Sequence, residues 1–318
     1  MSKPDFVIGR EEFSRRLAEE LGCKYREFRH EYHPDGEPAP RIKADYDEIE
    51  NKHVVLVLRG YQMPDYTRVS RNLHNFSRHI GNLAYVFKAK KVDVLMPYFW
   101  LARQDKNPKE DTDPLARERD WGRDVGYEWL ARDFKAQGAN RIITFNPHFN
   151  RTSNQMEIAG LEIVPLSGIP ALGRYSMKLY KEGLLSDDCF IAGPDFGSSP
   201  LLEEFASLVG KKFKLLEKKR VDNDRVASKC NIDIKGKDVL ILDDIFSTLS
   251  TIETAINCLE NYGNIDCLAV HGVFPEAGFA RSKRLKNVVR RFVTTDTIDC
   301  DYTRASVIPE IVEFYKSK

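Results

Sequence analysis

Short apolar runs recur along the chain, at residues 54–58, 92–96, 142–145, 190–192, 239–242 and 268–270, that at 239–242 unbroken, with a further run at 288–295 mixed with arginines. Runs of this length, without polar alternation, suit strands buried on both faces of a parallel sheet. Helical patterns lie between them, at 10–21, 71–87, 127–137, 201–209 and 252–262. Strand–helix alternation of this kind predicts an α/β fold with mainly parallel sheets flanked by helices. A chain of 318 residues is long enough for two such domains, and two halves of similar plan meet near residues 165–175. No repeat of fixed short period is present.

Composition narrows the partners. Lys plus Arg number 49 against 48 Asp plus Glu, a formal net charge of +1, so no global field directs the chain to nucleic acid. The cysteines, Cys23, Cys189, Cys230, Cys258, Cys267 and Cys300, are scattered and form no C-x-x-C pair. With no leader pattern ahead of them, they predict a reducing cytoplasm, and argue against a zinc site or a disulfide framework. No apolar run approaches the ~20 residues of a membrane span.

The chemistry concentrates in residues 238–254, D-V-L-I-L-D-D-I-F-S-T-L-S-T-I-E-T. The run 239–242 follows Gly236 and reads as a buried strand, with Asp243 and Asp244 placed directly after it, at the carboxyl end where open α/β sheets bind ligands. Paired carboxylates there suit sugar hydroxyls or a hydrated Mg2+. Ser247, Thr248, Ser250 and Thr251, on a loop opening a helix, suit a phosphate. The plain alternative is a strand, an acidic turn and a serine cap.

Other strand ends carry further candidates. His33-Pro34-Asp35-Gly36-Glu37 is a turn signal, alone no more than a hairpin. Past the strand at 92–96 comes an aromatic cluster, Tyr98-Phe99-Trp100, followed by Arg103-Gln104-Asp105-Lys106. An arginine there can grip a polyphosphate in bidentate fashion, or merely be solvated. His148 stands just past the strand at 142–145, a position more often structural than ligating. Gly193-Pro194-Asp195-Phe196-Gly197 is a Gly-rich turn with an acid, suited to a metal or phosphate. Glu217-Lys218-Lys219-Arg220 opens a polar segment to Lys229. It reads as a solvated charge run or as a basic lid over phosphates.

Taken in order, these stretches resemble the ribose-phosphate pyrophosphokinase (phosphoribosyl pyrophosphate synthetase) family from roughly residue 6 to residue 311. Residues 239–251 are similar to its phosphoribosyl pyrophosphate-binding motif, apolar strand, Asp-Asp, two apolar residues, then Asp/Ser-Thr-Gly-Gly-Thr. His33–Glu37 resembles its Phe-x-Asp-Gly-Glu loop, and 97–105 its Pro-Tyr-Phe-Gly-Tyr-Ala-Arg-Gln-Asp. Asn146-Pro147-His148 stands for Asp-Leu-His, and 193–197 for Ser-Pro-Asp-x-Gly-Gly. Residues 217–220 resemble Asp-Lys-Arg-Arg, and Thr295-Asp296-Thr297-Ile298 matches a late Thr-Asp-Thr-Ile.

The resemblance implies two tandem phosphoribosyltransferase-like domains, 1–165 and 166–318, with the last helix packing back on the first. It implies transfer of the diphosphoryl group of ATP to the C1 hydroxyl of ribose 5-phosphate, with Mg2+, in a cytoplasmic homo-oligomer, dimer-based or hexameric, whose active sites lie at subunit interfaces. By the same token Lys218 and Arg220 are catalytic. His33, Asp35, Glu37, Arg103, Gln104, Asp105 and His148 serve ATP. Asp243, Asp244, Ser247, Thr248, Ser250 and Thr251 hold ribose phosphate, and His148 and Asp195 attend the metal.

The sequence departs from the pattern in particular places. Leu249 and Ser250 replace the loop glycines, Ser247 replaces a frequent Asp, and Asn146 an Asp. Charged residues are inserted around 106–124, and a shorter excess surrounds 150–155. Glycine admits positive φ and close backbone approach to a phosphate, neither of which leucine permits easily, so the loop is expected to follow a different path. Three further readings stay open: a diphosphokinase for a different sugar phosphate, a non-catalytic relative that joins an active enzyme, and a phosphoribosyltransferase using a base. The last leaves the His33–Glu37 and Arg103–Gln104 stretches unexplained.

Overall fold

The apolar runs are the strands of two compact units in the computed structural model, which describes residues 3–59, 67–103, 114–119, 121–149, 155–216 and 232–317. The described residues up to 166, together with 308–317, form the first unit; those from 167 to 307 form the second.

The first unit holds strands β1 (Phe6–Gly9), β2 (Lys24–Tyr32), β3 (Pro38–Ile42), β4 (His53–Val57), β5 (Lys91–Leu95), β6 (Arg141–Phe145), β7 (Met156–Ile158) and β8 (Leu161–Leu166). They form one sheet in the order β3-β2-β1-β4-β5-β6-β8-β7. The strands from β2 to β8 run parallel, while β3 and β7 close the two edges antiparallel. β4 and β6 are buried along their whole length, because both sheet faces are covered. Helices α1 (Glu12–Leu21), α2 (Tyr46–Ile49), α3 (Thr67–Gly81), α4 (Pro114–Arg119) and α5 (Gly126–Ala136) connect them. α1 buries Phe13, Leu17, Ala18 and Leu21 on one stripe, and ends where Gly22 takes the left-handed conformation, φ 61°.

The helix α10 (Ile308–Lys316) belongs to this unit as well. Its Tyr315 hydroxyl donates to Asp93 Oδ2 over 3.0 Å. The same oxygen accepts from Arg141 Nη2 at 2.6 Å and meets His53 Nε2 at 2.7 Å. Burial alone would raise the Asp93 carboxyl; the hydrogen bonds from His53 and Arg141, with the Arg141 charge, hold it below its ordinary value. The Arg141 guanidinium also lies 5.0 Å from the Phe314 ring centroid.

The second unit contains β9 (Phe190–Gly193), β10 (Phe213–Leu215), β11 (Ile232–Asp233), β12 (Val239–Phe246), β13 (Leu259–Glu260), β14 (Ile265–Gly272), β15 (Val289–Thr295) and β16 (Thr303–Ala305). Its main sheet runs β10-β9-β12-β14-β15-β16 and is parallel throughout, with β11 and β13 paired apart from it. Helices α6 (Ile169–Lys181), α7 (Ser199–Val209), α8 (Ser250–Ile256) and α9 (Glu276–Leu285) link the strands. Val239, Ile241, Phe246, Leu249, Ile252, Ile265, Cys267, Phe274 and Phe292 share one buried cluster.

Two local expectations change. The strand expected at 239–242 continues to Phe246, because β14 runs beside it as far as Gly272 and pairs Asp243 with Ala269. Asp243 and Asp244 therefore belong to the strand's last turns of pleat rather than to a loop after it. The helix expected over 252–262 ends at Ile256, since the chain turns to pair β13 with β11. Among the described residues no helix is long and apolar enough to cross a membrane.

Candidate active site

In the second unit the chain leaves β9 for its outer neighbour β10, then returns to the other side of β9 as β12. The order reverses there, and the crevice at the carboxyl ends of β9 and β12 is where an open α/β sheet binds a ligand. Asp195 stands just beyond β9, and Asp243 and Asp244 lie in the end of β12. Gly193 brings the chain out of β9 in tight quarters, since a Cβ there would sit 2.2 Å from Leu202 Cδ1. The turn after it is held by Ser198, whose hydroxyl donates to the Asp195 carbonyl over 2.6 Å.

Asp243 feels the two other carboxyls. Asp243 is pushed well above its ordinary value, first by burial, then by the charges of Asp244 and Asp195; the Asp244 N–H, 2.9 Å from Asp243 Oδ1, opposes this. An acidic set under such mutual repulsion favours a cation or hydroxyl donors as its ligand.

The loop after β12 supplies the opposite chemistry. Ser247 is half-buried, Thr248, Ser250 and Thr251 are exposed, and Thr248 Oγ1 lies 3.1 Å from Ser250 Oγ. Leu249 takes φ 60°, ψ 15°, the left-handed conformation that a glycine adopts without strain. At this position, then, the leucine takes up the backbone conformation a glycine would. Leu249 accepts the conformation because its side chain, 3% exposed, is sunk in the core cluster. Its carbonyl then receives the Glu253 N–H at 3.0 Å and starts α8.

Helix α9 braces the loop from behind. A Cβ at Gly278 would lie 2.0 Å from the Ser247 carbonyl oxygen, so only glycine lets the two approach. Arg281 Nη1 donates to the Thr248 carbonyl. Arg281 Nε and Arg284 Nη2 meet the two Glu253 carboxylate oxygens at 2.9 and 2.6 Å. Sequence reasoning missed Glu253, Gly278 and Arg281; a glycine inside a helical pattern was the one signal to hand.

The remaining candidates fall in the first unit. His33, Asp35 and Glu37 are exposed at the tip of the β2–β3 hairpin, where the His33 N–H donates to the Glu37 carbonyl at 2.9 Å and Asp35 Oδ1 accepts the Glu37 N–H at 3.0 Å. The base of the hairpin is aromatic: His30 and Phe28 on β2 pack against Phe76 and His79 on α3, and Phe76 stacks on Trp100 with centroids 5.0 Å apart. Among the described residues neither ring nitrogen of His79 has a hydrogen-bond partner. Burial, then the nearby His30, Arg10 and Arg78, lower His79 to about 3.

Tyr98, Phe99 and Trp100 are buried past β5, and Arg103 emerges exposed beyond them. His148 is half-buried past β6, beside Phe149, which stacks on Tyr127 at 4.3 Å. Arg103 and His148 thus follow neighbouring strands β5 and β6 of this unit. Lys218, Arg220, Gln104 and Asp105 lie outside the described residues.

The parallel second unit, with its acidic crevice and hydroxyl loop, is a domain of phosphoribosyltransferase type; a family model for the phosphoribosyl transferase domain matches residues 169–298. A ribose-phosphate pyrophosphokinase of Methanothermobacter thermautotrophicus is 30% identical over 286 residues, covering 89% of each chain. One of Methanopyrus kandleri is 25% identical over 302 residues, covering 94% of this chain and 93% of its own. The crystal structure of phosphoribosylpyrophosphate synthetase from Mycobacterium smegmatis shares the fold, with a TM-score of 0.72 at 20% identity over 98% of this chain and 97% of that one. The chain belongs to the ribose-phosphate pyrophosphokinase family of enzymes.

Among the described residues no three His, Cys, Asp or Glu side chains gather as a metal cage. Mg2+ needs none, because it commonly binds through one or two carboxylates and substrate phosphate oxygens. The repelling set of Asp243, Asp244 and Asp195 fits an ion delivered in that way.

Proposed function

We propose that the chain transfers the diphosphoryl group of ATP to the C1 hydroxyl of ribose 5-phosphate, giving phosphoribosyl pyrophosphate and AMP. The observation that carries this reading is the pairing, at one topological switch point, of the acidic set Asp195, Asp243 and Asp244 with the hydroxyl loop Ser247–Thr251. Carboxylates beside a phosphate-type loop suit a phosphorylated sugar held by both ends, its ring hydroxyls on the acids and its phosphate on the loop.

Positioning and charge neutralisation are what such a transfer demands of a protein. Asp243 and Asp244 orient the ribose hydroxyls and keep the C1 oxygen in place. Ser247, Thr248, Ser250 and Thr251 donate to the 5-phosphate. Lys218 and Arg220 neutralise the transferring diphosphoryl group. His33, Asp35 and Glu37, exposed at a hairpin tip, serve the adenine of a neighbouring subunit in a cytoplasmic homo-oligomer. Arg103, Gln104, Asp105 and His148 serve the ATP phosphates. Mg2+ would supply charge neutralisation for the diphosphoryl group, and Asp195 in the second unit and His148 in the first are the residues proposed to attend it.

The test is incubation with Mg2+, ATP and ribose 5-phosphate, following AMP and the product mass. AMP with phosphoribosyl pyrophosphate, lost in Lys218→Ala, is the expected result. ATP binding without AMP, for ribose 5-phosphate and for other sugar phosphates alike, would mark a non-catalytic relative instead.

A further inference from the structure

The carbonyl oxygens of the loop after β12 are each engaged by α8 or α9. That of Ser247 is packed against the bare Cα of Gly278, that of Thr248 accepts from Arg281, and that of Leu249 accepts the Glu253 N–H at 3.0 Å. A carbonyl lone pair aimed at an anion repels it, so a loop that is to hold a phosphate must turn these oxygens away. Leu249 makes this harder than glycine does, because a side chain at φ 60° is strained and the loop gains by relaxing.

We infer that Arg281 is a positioning residue for the sugar-phosphate subsite, an assignment that rests on the function proposed above. Its guanidinium spans two elements: Nη1 fixes the Thr248 carbonyl and Nε lies 2.9 Å from Glu253 Oε2 on α8. Arg284, 2.6 Å from the other Glu253 oxygen, keeps that carboxylate from turning away. The clasp ties the loop to α8 and α9 together and holds it in the geometry an anion needs before the anion arrives. Arg281 acts through the loop, and its positive charge close behind it adds a favourable field. Only the Thr248 contact is a directed hydrogen bond, and Glu253 is held by charge at close range, since Arg281 Nε has no hydrogen-bond partner among the described residues; a lysine keeps the charge but lacks the fixed planar geometry.

The test compares Arg281→Gln, Arg281→Lys and Gly278→Ala with the unaltered enzyme. Expected for Arg281→Gln and Gly278→Ala is a rise of roughly tenfold or more in KM for ribose 5-phosphate, with KM for ATP kept within about twofold. Arg281→Lys recovers part of the loss. A purely structural role predicts a lower unfolding midpoint and less active enzyme, with KM for ribose 5-phosphate unmoved, and that result overturns the inference. Should Arg281→Gln fail to fold, Gly278→Ala and Arg281→Lys decide on the same readout. Should the unaltered protein release no AMP, the proposed reaction fails by itself, and calorimetric titration with ribose 5-phosphate still tests the clasp. Weaker binding in the two loop variants then supports it, and equal binding refutes it.

Discussion

Leu249 holds a glycine's conformation with a leucine's side chain, and replacing it separates the two effects. At φ 60° a residue with a Cβ is strained by about 1 kcal/mol or somewhat more. The side chain is 3% exposed, among Phe246, Ile252 and Phe274, and truncating such a buried leucine to alanine costs about 2–5 kcal/mol. Leu249→Ala loses the burial and keeps the strain, so it should destabilise by about 2–5 kcal/mol. Leu249→Gly loses the burial too but sheds the strain, and should fall short of that cost by about 1 kcal/mol. Alanine normally outranks glycine inside a folded chain; here the order should invert. Urea unfolding of the parent and both variants, compared through the midpoint of the transition reported by the second unit, measures the difference. Leu249→Ala proving more stable than Leu249→Gly would refute the claim that the loop holds its leucine in a strained backbone conformation.

Other expectations follow from the same structure. Asp243→Asn relieves repulsion with Asp244 and Asp195, so it should raise the thermal midpoint at pH 7 while kcat falls by about 10²–10³-fold; a lower midpoint would show that the carboxylate is not under strain. His79 is lowered to about 3, so below the unfolded value near 6.5 the unfolded chain takes up a proton that the folded one refuses. Stability should therefore drop as pH falls from about 6.5 toward 3, by up to about 1.4 kcal/mol per pH unit, and His79→Leu should flatten that part of the curve in pH-dependent unfolding. Tyr315→Phe removes the hydroxyl from a buried carboxylate and should cost about 1–3 kcal/mol, read as a lower unfolding midpoint; no change would mean Asp93 is satisfied without it.

The α/β character was legible because strands covered on both faces leave mostly apolar runs, clean in β4 after His53 and at the start of β12, and interrupted by single polar residues in β5, β6 and β14. The edges were not. β2 reads K-Y-R-E-F-R-H-E-Y, and its partly exposed residues carry charge that a buried-strand search passes over. The extension of β12 through Asp243 and Asp244 was hidden for a related reason: its pairing with β14 is tertiary, and two aspartates look like the end of any strand. The acidic pair and the hydroxyls of the loop were found in the sequence because they adjoin one another. Arg281, 33 residues from the carbonyl it holds, has no local pattern to reveal it.

The buried anion Asp93 has a bearing on how the chain comes to be folded. Its partners His53 and Arg141 are made early, whereas the Tyr315 hydroxyl follows only after the whole second unit has been translated. On the ribosome the first sheet therefore waits with a charge lacking one of its donors and with the surface beneath α10 bare. Completion of the earliest unit depends on the latest helix. Nascent chains stalled before residue 308 should expose that face to chaperones, and a nonsense change there should damage the amino-terminal half as much as the part it deletes.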